Sequence, residues 1–306
     1  MSVPSPPSLD ELCAEGLKKG GYVSGTAQYT AMLARANTTW IEEINNDIYT
    51  ISKELKTLQK VYPHITVPNR SRYIMPTDYQ SNLKFTLLDG THYGTATAGA
   101  ATTITLAADE DIEEADILGK YVVITGGTGA NQIAQVTAYN ETTKVATIYA
   151  ETIDGEWETT PSTDSTYLIC DEVDDLDFRS ISEADLAYDT TRDEPTAYIL
   201  SENETYGEFK LWPSPYRADT GQTKYVVLQR YYANIMLLDS SSTLMSLLYR
   251  RWRNTFVQGI FYKTLQHKDD DRTSAEESKY YTLLKLMMNK EMPLPESQDF
   301  VKNSIG

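Results

Sequence analysis

The chain has 306 residues, 41% of them hydrophobic, with a formal net charge of −17 and a sequence pI of about 4.6. That hydrophobic share supplies a core and excludes wholesale disorder, and the length leaves room for one large domain or two modest ones. The acidity excludes a protein that wraps tightly around nucleic acid, because neutralising phosphates takes a Lys/Arg surface. It still allows DNA to slide past without sticking.

Residues 1–8 are Pro/Ser-rich and read as an arm. The N-terminus has neither the basic nor the apolar region of a signal peptide, and no apolar run reaches the ~18 residues a membrane span needs. A soluble, intracellular protein is expected. Cys13 and Cys170 lie far apart without a CxxC partner, which suits packed or free thiols in a reducing compartment.

Ser8-Leu-Asp-Glu11 has capping-box spacing and Gly20-Gly21 supply a stop, so a short helix is predicted over 9–19. A second capping signal, Ser24 to Gln28, opens a long helix. Ile41, Ile44, Ile48, Ile51, Leu55 and Leu58 alternate three- and four-residue steps there, and Leu33 and Asn37 continue the seam backwards. Pro63 and Pro68 are expected to end it. Residues 73–88 look extended, with Pro76 disfavouring a central strand.

Beyond Gly90 the texture turns to Thr, Ala, Gly and Tyr, with period-two runs at 101–107, 120–125, 132–139 and 144–149, the pattern of a small antiparallel β-domain over 91–170. The acidic stretch Asp171–Asp177 reads as a linker. Strands are expected at 196–201, 207–212 and 223–233. Leu244, Leu248, Trp252 and Phe256 then stack at helical spacing up to a break at His267–Asp271. Thr273-Ser-Ala-Glu276 caps a last helix, Pro293 and Pro295 close it, and a tail runs from 296 to 306.

The expected fold class is therefore α+β: a discontinuous helical-bundle domain with a few strands, from 1–90 and 171–306. Residues 91–170 would be an inserted small antiparallel β-domain, barrel or sandwich.

The stretch Tyr121–Ala138 contains Thr-Gly-Gly-Thr-Gly after a β-branched run, the letters of a dinucleotide loop. Such a loop needs a helix behind it, whose dipole and free N–H groups hold the phosphates. Here Gln132 stands where the third glycine belongs, and Ile133, Val136 and Tyr139 alternate as in a strand. No Gly-Lys-Ser/Thr follows. The glycines are read as a turn between strands, and valine at Gly127 or Gly129 should misfold the module without costing a catalytic activity.

His64, His92 and His267 sit in separate regions with no metal-ligand spacing, so no metal is expected, nor any cofactor or enzymatic activity. The acidic clusters Asp109–Asp116, Asp171–Asp177 and Asp269–Asp271 lack the spacing of an EF-hand loop and read as solvated faces or turns. Arg250, Arg251 and Arg253 fan around a helix, and intersubunit salt bridges are their expected role. With the seam residues Ile41, Ile44, Ile48, Ile51 and Leu55 they are the subunit-interface candidates.

The order of a short helix, a long helix, Tyr73-Ile-Met-Pro76, Phe209-Lys-Leu-Trp-Pro-Ser-Pro215, a strand over Tyr225–Tyr232 and a two-helix end resembles head-to-tail adaptor proteins of tailed bacteriophages. The likeness covers about 1–90 and 175–295. Residues 91–170 resemble a small β-module found in many phage structural proteins. The resemblance implies a virion protein at the head–tail interface, assembled in the host cytoplasm. A ring of twelve copies would join the portal protein to the tail nozzle or tube, with double-stranded DNA passing non-specifically through the lumen. Twelve copies would carry on the order of −200 charges, which repels phosphates. It also implies that the C-terminal tail, with Phe300, Val301, Lys302, Ile305 and Gly306, docks on the portal. Two rivals are another tail component (tube, baseplate or receptor-binding protein) and a nucleotide-binding enzyme resting on Gly126–Gly129.

Overall fold

A computed structural model describes residues 9–52, 54–150, 155–179, 192–202, 207–216, 225–235 and 243–292, without the side chains of 201–202, 243–247 and 249–250. The helices are α1 (Leu9–Lys19), α2 (Ala27–Arg35), α3 (Ile41–Ile51), α4 (Glu114–Ile117), α5 (Thr243–Lys268) and α6 (Thr273–Glu291). The first strands are β1 (Gln59–Ile65), β2 (Arg72–Ile74), β3 (Tyr79–Thr95), β4 (Ala98–Ala100) and β5 (Thr103–Thr105). Then come β6 (Tyr121–Gly126), β7 (Ile133–Asn140), β8 (Val145–Ala150), β9 (Thr166–Asp175) and β10 (Asp177–Phe178). The last are β11 (Arg192–Asp193), β12 (Ala197–Glu202), β13 (Gly207–Trp212), β14 (Ser214–Pro215) and β15 (Tyr225–Ala233). The chain forms two compact units, one from 1–59 with 232–306 and one from 60–231.

The first unit is helical. In α1, Asp10 and Glu11 occupy the first turn and Lys18 and Lys19 the last, matching the helix dipole. Its buried Leu12, Cys13 and Leu17 join Ile41, Ile44, Ile48, Phe256, Val257, Ile260, Tyr280, Leu284 and Met287 in one core. Gly16 and Gly20 let α1 approach α5 closely: a Cβ on Gly16 would stand 2.5 Å from Ile260 Cγ2, and one on Gly20 2.3 Å from Thr264 Cγ2.

The long helix predicted after residue 24 is interrupted. Its N-cap is Thr26, whose hydroxyl accepts the Tyr29 N–H at 3.1 Å, rather than Ser24. A π-helical turn over Ala36–Trp40 separates α2 from α3, and Ser52 turns the chain into extended backbone. Leu55 and Leu58 still reach the core, from beside and within the 3-10 turn Lys56–Leu58. The seam is thus shared by two kinds of backbone. α5 likewise departs from helical geometry at Trp252, whose indole N–H donates to Glu291 at 2.6 Å.

The second unit is built on a nine-stranded sheet of order β1-β15-β3-β9-β6-β7-β8-β5-β4. A four-stranded sheet, β10-β12-β13-β2, and a two-stranded pair, β11-β14, complete it. This overturns the expected fold class. The molecule is mostly β, with an antiparallel half-barrel sheet, and is not a helical-bundle domain carrying a small closed insert. The reason lies in two strands that cross the expected borders. β3 runs through Gly90 without a break, pairing Thr86 with Asp175 at one end and Thr95 with Thr166 at the other. The acidic run expected as a linker is the second half of β9, held by Lys84–Asp175 and Lys120–Asp171 ion pairs, both at 2.8 Å. β3 lies inside the sheet, because Pro76 falls before its first residue.

Three apolar clusters fill this unit. One packs Ile104, Val122, Ile124, Val136, Ile148, Trp157, Tyr167 and Ile169. A second gathers Tyr73, Phe85, Phe209 and Tyr225, with Phe85 and Phe209 ring centroids 4.6 Å apart. The third joins Leu88, Val123, Leu168, Val226 and Leu228.

Candidate functional site

The glycine stretch closes a hairpin. β6 and β7 pair antiparallel, Val122 opposite Ala134 and Val123 opposite Ile133, with Gly127 at φ +75° and Gly129 at φ +78° between them. A phosphate cradle needs amides free to point at an anion. Here the Thr128 N–H donates to the Asp164 carboxylate at 3.1 Å, and the Thr128 carbonyl accepts from Ser165 Oγ at 2.6 Å. Gln132 fastens the other side, donating to the carbonyls of Gly129 at 2.9 Å and Thr159 at 2.8 Å and accepting the Thr159 N–H. The Ser162 hydroxyl and then Thr128 hold the Asp164 carboxyl below the usual carboxylate range. The anion at this loop is the protein's own, and a strand follows the turn where a nucleotide fold needs a helix.

A different cluster is assembled by the fold in the same unit. β3 carries an extra residue, Thr91, in a bulge opposite β9, and His92 follows it. Such bulges re-aim the side chain beside them. The loop after β5 folds back with the Glu110 N–H donating to the Ala107 carbonyl at 3.1 Å. His92 Nδ1 lies 2.9 Å from Glu110 Oε1 and 3.7 Å from Asp111 Oδ1. The other Glu110 oxygen accepts from the Tyr167 hydroxyl at 2.7 Å, and that hydroxyl accepts the Ala107 N–H at 3.0 Å.

Burial and access differ sharply across these groups. The Glu110 side chain is 5% exposed, His92 31% and Asp111 91%. Burial, and then the bond to Glu110, drive the Tyr167 hydroxyl pKa up. Tyr139, 5% exposed, has a hydroxyl with no hydrogen-bond partner among the described residues. Burial raises its pKa as well, followed by the charges of Glu110 and Glu141. One imidazole nitrogen and two carboxylate oxygens lying within 4.8 Å of one another are a potential metal-ligand set.

Sequence reasoning named the acidic run and the histidine without joining them. His92 and Glu110 are 18 positions apart, and only the bulge in β3 and the fold-back of the following loop bring them together. Tyr167 comes from a third strand.

The interface candidates fall as follows. Ile41, Ile44, Ile48 and Leu55 are buried in the core of their own unit, and Ile51 is 51% exposed. Arg251 pairs with Glu291 at 3.3 Å and Arg253 with Glu15 at 2.6 Å, both within the chain. The Arg253 bond lowers the Glu15 pKa. The Arg250 side chain and Phe300, Val301, Lys302, Ile305 and Gly306 lie outside the described residues.

No protein-family model matches this chain, and no curated protein matches it. Among the described residues, no helix is long and apolar enough to cross a membrane.

Proposed function

We propose that the protein is a structural subunit of a tailed-phage particle, forming a ring that joins the portal of the head to the tail and lets DNA through its lumen. The observation that carries this reading is the helical unit made by the two chain ends, α1–α3 with α5 and α6, which follows the adaptor-like order read from the sequence. An adaptor works by packing against neighbours, and its lumen wall must not hold DNA. The charge of −17 suits that task. At the glycine loop the Thr128 amide is already bonded to Asp164, which supports reading that loop as a turn.

Mixing the purified chain with portal rings and imaging the mixture by electron microscopy tests this. Portal rings bearing an added ring of subunits, lost on truncation of residues 293–306, are expected. Portal rings that stay bare would overturn the proposal.

A second reading, a tail component that grips another surface, is favoured by the exposed aromatics of the β unit: Tyr93 at 72%, Phe178 at 58% and Tyr149 at 57%. Small oligomers, trimers above all, without affinity for portal would decide for it.

A further inference from the structure

We propose that His92, Glu110 and Asp111 bind one divalent transition-metal ion of the zinc type, which pins the loop after β5 to strand β3. The site is independent of the assembly role proposed above. Four-coordinate zinc holds its nitrogen and oxygen ligands at ~2.0–2.2 Å, which separates two tetrahedral ligand atoms by about 3.4 Å. The observed 2.9 Å and 3.7 Å from His92 Nδ1 to the two carboxylates bracket that separation. Closing the set needs shifts of a few tenths of an ångström, and Asp111 is exposed enough to make them.

Two further features mark the cluster as built. Ligating carboxylates are themselves held by outer hydrogen bonds. The Tyr167 hydroxyl does this for the distal oxygen of buried Glu110, and the Ala107 N–H fixes Tyr167 in turn. In the same apolar cluster as Tyr167, the buried Tyr139 hydroxyl has no partner among the described residues. A buried hydroxyl left so costs roughly 1–3 kcal/mol. The half-exposed imidazole leaves a path from solvent.

The donor set selects the ion. One imidazole with two carboxylates suits zinc and its neighbours, whereas magnesium and calcium prefer oxygen alone. A neutral imidazole and two carboxylates also balance a 2+ charge, so burying the ion beside Glu110 leaves no net charge unpaired.

Isothermal titration of zinc chloride into the metal-free, full-length protein tests the proposal, with magnesium chloride as the control. One zinc per chain and a melting temperature raised by saturating zinc are expected, with no response to magnesium. Asp111→Asn, at a position whose side chain is 91% exposed, should weaken zinc binding by roughly tenfold or more. His92→Ala should abolish it and His267→Ala should leave it unchanged. Absence of heat and of a melting shift at a large excess of zinc would overturn the site. So would binding that survives both Asp111→Asn and His92→Ala, or binding that follows His267.

Discussion

Two glycines of the β unit share a backbone conformation but not a neighbourhood, and that contrast separates strain from crowding. Gly119 has φ +84° with nothing within 4 Å of an added Cβ, while Gly127 has φ +75° with the Asp164 carbonyl oxygen 2.1 Å from that position. Placing an L side chain in the left-handed region costs ~1–2 kcal/mol, so Gly119→Ala should lose about that much. Gly127→Ala bears the same cost plus a displacement of backbone, which cannot rotate away as a side chain would. Overpacking of this kind costs ~1–3 kcal/mol, for a total of about 2–5 kcal/mol. In a unit of this size each kcal/mol moves the melting midpoint by ~2–4 °C. Scanning calorimetry should therefore place Gly127→Ala several degrees below Gly119→Ala. Equal midpoints would refute the argument that the loop is closed against Asp164, and would reopen room at the turn for a ligand.

Three other outcomes follow from single contacts. His64 is buried against Phe209 and Gln229, and burial pulls its pKa from 6.5 down to about 4. The unfolded chain therefore takes up the proton first, and stability falls as pH drops from 6.5 toward 4, by roughly 3 kcal/mol. His64→Gln should flatten that slope in urea titrations, and an unchanged slope would rule His64 out as its source. Asp164 behaves in the opposite sense: its depressed pKa gives stability that is present above the unfolded value of ~3.9 and lost as pH falls through the folded one. Asp164→Ala should remove that part of the acid limb, seen by circular dichroism. In α1, Gly16→Ala gains ~1 kcal/mol of helix propensity but meets Ile260 Cγ2 at 2.5 Å. The change should destabilise the native protein, and by less in an Ile260→Ala background, which removes Cγ2 but keeps Cβ 2.7 Å from the added carbon; a denaturation cycle showing an equal loss in both would exclude the Cγ2 contact.

Where the sequence was legible, one element carried its own pattern. The hairpin at Gly126–Gly129, the strands near 197–202 and 207–212, and the two C-terminal helices all stand close to their predicted places. Local letters failed where pairing decided. Asp171–Asp175 looks like a solvated linker, but it continues β9 as a strand paired with β3 beyond the last β6 partner, Cys170, and Lys84 and Lys120 reach its carboxylates. The composition shift at Gly90 suggested a domain border, while β3 continues through it with β9 as its partner on both sides of the Thr91 bulge. The heptad-like seam from Ile41 to Leu58 reports burial correctly and backbone wrongly, because Leu55 and Leu58 enter the core from beyond the end of α3. Thr273-Ser-Ala-Glu276 has capping-box letters, yet the Thr273 hydroxyl turns back to the Asp270 carbonyl and Arg272 takes the N-cap position. The His92 cluster was beyond reach for the same reason as the sheet: a one-residue bulge sets it, and bulges leave no periodic trace.

The close approach of Gly16 to Ile260 joins positions 244 residues apart, with the whole β unit emerging from the ribosome between them. Translation at ~5–20 residues per second makes that a wait of roughly 10–50 s. During it α1 and α3 have apolar faces and no α5 to cover them, while the β unit can pair its strands as soon as Tyr231 is free. The helical core therefore closes only after the β unit encoded between its two halves has been made.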